Sequence, residues 1–261
     1  MPLAIEIVKY STINAREAVV QEIISNNQAI WFDSDYLSAD PHGCFDIEYW
    51  RQRDAVIGSA EGRGTTWFVA DEKLEMALRH YHRGGLFAKV NNDSYWFSNW
   101  HTTRSGAELA LLKLLRDGGV NVPRPVAARA VKKGLTYKAD ILVEKVANSR
   151  DLVALLQSYT VAATVWHDIG EMIGKMHDLQ VCHTDLNAHN ILLDDSQRPW
   201  LIDFDKCDCR DGDDWKVENL ARLKRSFLKE VDKRAIKWCE DDWIALCDGY
   251  AHKNQLRITI S

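Results

Sequence analysis

Hydrophobic and polar positions along this chain form short alternating runs in the first half and longer helical repeats in the second. From Ala55 the runs AVIGSAEGRGTTWFV and LEMALRHY, separated by a DEK turn and broken by glycines, predict an antiparallel meander of three strands. Residues 105–119, SGAELALLKLLRDGG, carry leucines at helical spacing between a serine and paired glycines, which predicts a helix. Residues 122–146 predict two further strands around a Lys-Lys-Gly turn.

The second half of the chain is mostly helical in pattern. Helical repeats extend to Asp178, followed by a loop containing HTDLNAHN, a predicted hairpin of ILLDD and WLIDF, and helices from Trp215 to Tyr250. A small β-rich lobe with one main helix thus precedes a larger, mostly helical lobe, so we expect an α+β, protein-kinase-like two-lobed fold. The predicted divisions are an N-terminal extension packed on the first lobe at 1–54, a first lobe at 55–147 and a second lobe at 148–261.

Composition limits the classes of protein that fit these patterns. The chain has 261 residues, of which 46% are hydrophobic, and a net charge of −5, which suits a globular protein and gives no basic surplus for nucleic-acid binding. Its six cysteines lack the spacing of a disulfide framework, so we expect reduced thiols. The first residues do not have the pattern of a signal peptide, and no uncharged stretch approaches the roughly 20 residues of a membrane-spanning helix.

The strongest chemical signal is a loop motif, HTDLNAHN, which fits the H-x-D-x-x-x-x-N pattern of kinase catalytic loops. In that pattern Asp185 orients an attacking hydroxyl and accepts its proton, and Asn190 supplies an oxygen to magnesium. Asp203 lies 18 residues after Asp185, at the end of a strand that returns to the loop, where its carboxylate suits the same metal. Each residue alone could equally cap a helix or form a turn. The ordered set favours phosphoryl transfer from ATP, with His183 in a structural role.

A glycine-rich segment in the first lobe, GSAEGRG at residues 58–64, is a candidate for nucleotide binding. Glycines let backbone N–H groups approach a phosphate without a Cβ in the way, and Gly62, Arg63 and Gly64 are the predicted contact residues. A plain β-turn is the alternative for such a segment. No Gly-Lys-Ser/Thr follows, which excludes a Walker motif.

Kinases hold the α- and β-phosphates with a cation on the third strand that pairs with a glutamate on the next helix. In the run MALR, Arg79 occupies the position at which lysine is usual, and Glu108 in the first turn of the predicted helix is its natural partner. Lys89 is the rival cation, and the sequence leaves the choice open. Glu144, in the strand ILVEKV, marks the expected hinge where backbone groups would meet adenine, although an ordinary buried strand explains the run as well. Asp151 is expected to cap the next helix.

Basic residues concentrate in the predicted helical region after residue 215, beside an apolar stripe. A core-facing helix with a solvated basic face explains this pattern, and a contact with an anionic substrate or acidic lipid is the alternative. The residues are Arg222, Lys224, Arg225, Lys229, Lys233, Arg234 and Lys237.

Several segments together resemble the 3-deoxy-D-manno-octulosonic acid (Kdo) kinases, within the wider lipopolysaccharide kinase family of Gram-negative bacteria. They are GRGTTWFV, LRHYHRGG, AELALLKLLRDGGVNVPRPVAAR, HTDLNAHNILLD, LIDFDKC and NLARLKRSFLK, and they span about residues 55–235. The resemblance implies phosphorylation of a Kdo hydroxyl, expected to be the 4-OH, on a Kdo-lipid A precursor during inner-core assembly, with ATP and Mg2+. It also implies peripheral attachment at the cytoplasmic face of the inner membrane, with an anionic membrane surface as a partner.

Carried over by motif, Asp185 becomes the base for the sugar hydroxyl, while Asn190 and Asp203 become magnesium ligands. Arg79 departs from the usual lysine, and Asp205 stands where protein kinases have the glycine of DFG. Helix follows almost directly, without a long activation loop, which disfavours a peptide acceptor. No obligate protein partner is inferred. A small-molecule or protein kinase of similar fold and a non-catalytic nucleotide-binding scaffold are the alternatives.

Overall fold

The computed structural model describes residues 20–61, 64–82 and 93–254. The chain divides into two compact units. The first unit contains the residues up to Ala110 together with residues 124–145, and the second contains residues 111–123 and those from Val146 onward. The described parts mix strands and helices, which confirms the α+β class.

In its described residues, the first unit is built on one antiparallel sheet of eight strands. Along the sheet the order is β1-β2-β7-β8-β5-β4-β3, and the short β6 pairs with the first two residues of β8. The strands are β1 (Val20–Ile24), β2 (Gln28–Asp33), β3 (Val56–Glu61), β4 (Thr65–Ala70), β5 (Glu75–His80), β6 (Tyr95–Trp96), β7 (Pro125–Lys133) and β8 (Thr136–Glu144). The helices are α1 (Ile47–Arg51) and α2 (Arg104–Asp117), of which α2 continues into the second unit.

The predicted strands and the predicted helix of this region are confirmed, but β1 and β2 were not predicted. β2 hydrogen-bonds to β7 inside the main sheet, with Trp31 opposite Ala128. Its residues from Ala29 to Asp33 are all buried, so the strand has no alternation of hydrophobic and polar positions. A strand that is covered on both faces lacks the period-two signal on which sequence analysis depends.

The glycine-rich segment is shorter than the sequence suggested. Residues 58–61 belong to strand β3 and pair with β4, so the expected loop does not begin at Gly58. Small residues are tolerated there because β3 is the edge strand of the sheet and its side chains are mostly exposed. A register shift between Val56 and Gly58 accommodates the glycine.

The second unit is mostly helical, with two small sheets that carry the loops. Its helices are α3 (Leu152–Leu156), α4 (Ala163–Asp178), α5 (Asp214–Arg234) and α6 (Glu240–Asn254), with a 3-10 turn at Ala188–Asn190. Its strands are β9 (Arg150–Asp151), β10 (Val181–Cys182), β11 (Ile191–Leu193), β12 (Pro199–Leu201) and β13 (Asp208–Cys209). The predicted hairpin is confirmed, because β11 and β12 pair antiparallel with Ile191 opposite Leu201.

Helices α4 and α6 pack closely where each carries a glycine. A Cβ added to Gly170 would lie 1.9 Å from the carbonyl oxygen of Leu246, and one added to Gly249 would lie 2.0 Å from that of His167. Only glycine permits this backbone contact, because any side chain would push the helices apart.

All six cysteines are free thiols in the structure. Among the described residues, none of the helices has the length and apolar character needed to cross a bilayer.

Candidate active site

The loop that carries Asp185 and Asn190 lies between strands β10 and β11 and is tied to the segment that carries Asp203. The amide of Ile202 donates to the carbonyl oxygen of Asn190 at 3.0 Å, which continues the β11–β12 pairing by one step. The buried His183 ring contacts the carbonyl group of Ile202, with its Nε2 3.0 Å from the carbonyl oxygen. Because a carbonyl oxygen only accepts, Nε2 carries the proton and donates it. Ile202, the residue before Asp203, is therefore held by hydrogen bonds at both its amide and its carbonyl group.

His183 has the structural role that was predicted for it. Its ring is fully buried and packs against Phe204, with 4.7 Å between ring centroids. Burial lowers its pKa, although the nearby Asp203 and Asp185 favour the charged form. The ring also links the two segments, because His183 precedes Asp185 by two residues and bonds to Ile202, the residue before Asp203.

Asn190 is oriented by the backbone of Asp185. Its Nδ2 donates to the carbonyl oxygen of Asp185 at 2.9 Å, and Asn187 makes a second such bond at 2.9 Å. Because the amide nitrogen of Asn190 is used in this way, its Oδ1 is the atom that points elsewhere and can meet a cation. Asn190 is only 9% exposed, so its orientation is fixed by packing as well as by hydrogen bonding.

Asp203 has a left-handed backbone, with φ 66°. Such a conformation is uncommon for a residue other than glycine, and it persists where the surroundings hold it in place. Here the surroundings are the two hydrogen bonds on Ile202 and the buried ring of Phe204. Strained backbone of this kind concentrates at functional sites, which agrees with the role predicted for Asp203.

Helix α5 contacts the catalytic loop through one polar face. The Arg222 guanidinium forms an ion pair with the Asp185 carboxylate, and the Ser226 hydroxyl accepts a hydrogen bond of 2.9 Å from the amide of Ala188. Asn219, Arg222 and Ser226 are spaced three and four residues apart, which places them on one side of a helix. The sequence analysis missed this role, since it assigned Arg222 to a basic surface cluster.

A buried chain of hydrogen bonds extends from Asn219 into the helical core. Nδ2 of Asn219 donates to the carbonyl oxygen of His183 at 2.8 Å, and its Oδ1 accepts from Nε2 of His177 at 3.0 Å. The other ring nitrogen of His177 accepts from the hydroxyl of Tyr250 at 2.9 Å. Burial lowers the pKa of His177 to about 4, so the imidazole is neutral and keeps this pattern of donors and acceptors.

In the first unit, the structure brings Arg79 and Glu108 together. Arg79 of β5 forms an ion pair with Oε1 of Glu108 in α2, while the Tyr81 hydroxyl donates to Oε2 at 2.5 Å. The Glu108 side chain is 3% exposed and that of Arg79 is 25% exposed. The carboxylate is therefore fixed on both oxygens, and the guanidinium keeps a face toward solvent. Tyr81 was not predicted as a partner.

Other candidates from the sequence differ in how the structure places them. Gly62, Arg63 and Lys89 lie outside the described residues. Gly64 lies against the ring of His82, where an added Cβ would come within 2.3 Å, so a larger residue at that point would displace the ring.

Glu144 and Asp151 have local partners. The amide of Glu144 donates to the carbonyl oxygen of Arg124 at 2.8 Å, so that N–H is not available to adenine. Asp151 caps α3 by accepting from the amide of Ala154 at 3.0 Å, as predicted, and its second oxygen lies 2.8 Å from Nδ1 of His189.

The basic cluster on α5 is largely neutralised within the second unit. Besides the pair between Arg222 and Asp185, there are ion pairs at 2.5 Å between Lys224 and Glu240 and between Arg225 and Glu218. Other members also have partners, since Arg234 pairs with Glu230 and Lys237 donates to the carbonyl oxygen of Ser158. Five of the seven basic residues therefore have a partner within the second unit.

A mixed sheet-and-helix fold, a strand cation paired with a helix glutamate, and a loop that joins an aspartate, an asparagine and a following aspartate define a protein-kinase-like phosphotransferase. Its match to known sequences gives the family. The chain belongs to the Lipopolysaccharide kinase (Kdo/WaaP) family, which residues 47–250 match.

Curated relatives are similar over nearly their whole length. The chain is 57% identical over 231 residues to a 3-deoxy-D-manno-octulosonic acid kinase of Photobacterium profundum, a match that covers 88% of this chain and 98% of the relative. It is 54% identical over 235 residues to the enzyme of that name from Vibrio cholerae, covering 90% and 100%. A Haemophilus influenzae protein of the same name is 49% identical, covering 88% and 99%.

Proposed function

We propose that this protein is a Kdo kinase, which transfers the γ-phosphate of ATP to a Kdo hydroxyl, expected to be the 4-OH, of a Kdo-lipid A precursor. The observation that carries the proposal is the identity of 49–57% with Kdo kinases over most of both chains. The reaction belongs to the inner-core stage of lipopolysaccharide synthesis. The enzyme would act at the cytoplasmic face of the inner membrane, to which it would attach peripherally.

Asp185 is assigned as the base. Its Oδ1 is held by Arg222, which directs the carboxylate and leaves Oδ2 to receive the proton of the acceptor hydroxyl. As the proton moves, the hydroxyl oxygen forms a bond to the γ-phosphorus, the bond from that phosphorus to the bridging oxygen breaks, and ADP leaves. The side-chain amides of Asn187 and Asn190, which both donate to the carbonyl oxygen of Asp185, hold its backbone in position.

Asn190 and Asp203 are assigned to hold Mg2+. The two residues lie on neighbouring segments, because the amide of Ile202, next to Asp203, donates to the carbonyl oxygen of Asn190 at 3.0 Å. An amide oxygen and a carboxylate fit a hard cation that also keeps water and phosphate oxygens as ligands. When bound, Mg2+ would neutralise charge on the β- and γ-phosphates.

Arg79 is assigned to the α- and β-phosphates, supported by Glu108 and Tyr81. An arginine keeps its charge under all conditions and can contact phosphate oxygens through two nitrogens. Gly62, Arg63 and Gly64 are assigned to cover the phosphates, and Glu144 marks the strand nearest the purine. Lys89 remains the alternative cation.

The test is incubation of the purified protein with Mg-ATP and a Kdo-lipid A precursor, followed by mass spectrometry of the lipid and NMR to locate the phosphate. We expect one added phosphate on Kdo. An Asp185→Asn variant should lose about a hundredfold or more in rate while it still binds ATP in calorimetry. An Asp208→Asn variant, which alters an exposed surface pair with Arg210, is the matched control. Transfer to an aminoglycoside or a peptide but not to Kdo would contradict the proposal.

A further inference from the structure

One corner of the sheet in the first unit exposes two large apolar side chains on neighbouring segments of backbone. Trp96 in β6 is 72% exposed and Leu135, in the turn between β7 and β8, is 71% exposed, more than any other large hydrophobic side chain among the described residues. Their backbones are neighbours, because Trp96 pairs with Thr136 and the amide of Phe97 donates to the carbonyl oxygen of Leu135 at 3.0 Å. We name Trp96, Leu135, Lys132 and Lys133 the Trp96 corner.

The corner has a rigid base. Tyr95 and Tyr137 are opposite each other on β6 and β8, are buried, and lie with ring centroids 5.6 Å apart. Nη1 of Arg104 donates to the Tyr95 hydroxyl at 2.9 Å, which fixes that ring. Because successive residues of a strand point to opposite faces, burying Tyr95 directs Trp96 outward. The exposure of Trp96 is therefore imposed by the sheet.

The corner is also locally positive in a chain whose net charge is −5. Lys132 and Lys133 end strand β7 just before Leu135, and Gly134 between them and Leu135 has a left-handed φ of 62° that makes the turn tight. Lys132 lies over the ring of Phe97, 4.5 Å from its centroid. Within the part of the chain that the structure describes, neither lysine forms an ion pair, whereas the nearby Lys138 pairs with Asp93 at 2.5 Å.

We propose that the Trp96 corner docks this protein on an anionic lipid bilayer, with Trp96 and Leu135 entering the headgroup region and the two lysines contacting lipid phosphates. The inference rests on the proposed function, because a Kdo-lipid A precursor is itself presented on a membrane. Trp suits the boundary between headgroups and acyl chains, since its ring is apolar and its N–H is polar. Lysines beside an apolar wedge are attracted by the negative surface of such a bilayer.

A bilayer fits this surface better than a protein partner does. A stable protein interface covers about 800 Å² on each partner. One exposed side chain on β6 and one in the turn between β7 and β8 offer a much smaller apolar area, whereas a fluid bilayer needs only a small apolar insertion and a few cations. The alternative membrane contact on α5 is weaker, because Arg222, Lys224 and Arg225 already pair with carboxylates.

Vesicle sedimentation of the full chain tests the proposal, using phosphatidylcholine vesicles with and without one third phosphatidylglycerol. Wild-type protein should bind the anionic vesicles and lose binding as salt rises. Replacing Trp96→Ser and Leu135→Ser together should weaken this binding about tenfold. Replacing Lys132→Gln and Lys133→Gln together should weaken binding to anionic vesicles about 25-fold, since each lysine contributes about fivefold near such a surface.

Matched controls come from the second unit. Tyr159→Ser removes an apolar side chain that is 61% exposed, and Lys229→Gln with Lys233→Gln removes two exposed cations of α5. These controls should bind vesicles as wild type does. Equal binding of the Trp96/Leu135 variant and wild type, or a loss seen only in the α5 control, would overturn the proposal. So would lipid-free self-association that depends on Trp96.

A water-soluble, deacylated Kdo acceptor separates this inference from the proposed function. Corner variants should phosphorylate it at the wild-type rate and lose rate only on acceptor embedded in anionic vesicles. Loss of rate on the soluble acceptor in the corner variants would count against a docking role. If wild-type protein binds vesicles through the corner but phosphorylates neither acceptor, the docking surface stands and the proposed function fails.

Discussion

Arg222 of helix α5 forms an ion pair with Asp185, the residue assigned as the base. Both side chains are partly exposed, at 48% and 42%, so the pair lies at the surface of the site rather than in the core. A pair this exposed contributes at most about 1 kcal/mol to folding. The pair instead fixes the position of the Asp185 carboxylate, because a guanidinium held on a helix keeps one carboxylate oxygen in a defined direction.

Arg222 should therefore matter for turnover more than for stability. We expect Arg222→Gln to lower kcat by about ten- to a hundredfold, because a misplaced base has a large effect on rate. The KM for ATP should change by less than about threefold. Arg222→Lys should recover part of the loss, since it keeps the charge but not the planar fork. Steady-state kinetics with varied ATP give both constants.

Arg225→Gln is the control for that experiment, as it removes an arginine of the same helix that pairs with the exposed Glu218. Its kinetics should match wild type. A positional role would be contradicted if Arg222→Gln also lowered thermal stability and a variant equally destabilised at another position lost as much kcat.

The choice between Arg79 and Lys89 can now be tested. The contacts of Arg79 with Glu108, together with the bond from Tyr81, support a fixed guanidinium, so Arg79→Gln should raise the KM for ATP and lower kcat/KM about a hundredfold. Lys89→Gln should change kcat/KM by less than about fivefold. The reverse order of effects would assign the phosphate contact to Lys89.

His177 should make the second unit sensitive to acid. Burial lowers its pKa to about 4, whereas an unfolded chain has the ordinary value of 6.5. Between these values the unfolded chain binds a proton that the folded chain does not, so the free energy of unfolding falls as pH drops from about 6.5 to about 4. The loss is about 3 kcal/mol for this group, and the buried His183 acts in the same direction.

Urea unfolding at a series of pH values measures this dependence. A His177→Gln variant should be less stable near neutral pH but show a flatter decline in acid. His101→Gln, which alters a side chain that is 68% exposed, should keep the wild-type slope. An unchanged slope in His177→Gln would mean that other groups cause the acid sensitivity.

The close contact of α4 and α6 predicts a strict size limit. Gly249→Ala would place a methyl group 2.0 Å from a backbone oxygen of His167, so the helices must separate. We expect a loss of about 1–3 kcal/mol in the free energy of unfolding. Thr164→Ala, at an exposed position of α4, should be nearly neutral. Calorimetry compares the two, and equal stabilities would show that the helices adjust without cost.

Much of the fold could be predicted from the sequence, because its signals are local. The meander from Ala55, the helix with Glu108 and the hairpin before Asp203 each have a clear period or turn, and each is present. Strand β2 could not be predicted in this way. It is buried on both faces, so neighbours distant in the chain, and not a local period, determine it.

The same distinction applies to the candidate site, where some residues could be predicted from the sequence and others could not. Asp185, Asn190 and Asp203 follow from a motif whose spacing reflects one loop and one hairpin. The partners of these residues could not be predicted from the motif, since Arg222 and Asn219 lie tens of residues away in a segment with the pattern of an ordinary charged helix. Helical spacing showed that they share a face, but not which face meets the loop.

The sequence alone therefore determined the class of chemistry, since the order and spacing of a few oxygen-bearing residues and the family segments lie along the chain itself. The tertiary structure decided that Arg79 pairs with Glu108, that Arg222 pairs with Asp185, and that Trp96 and Leu135 are both exposed at one corner of the sheet. Such pairings depend on strand register and helix packing, which form only when distant segments come together.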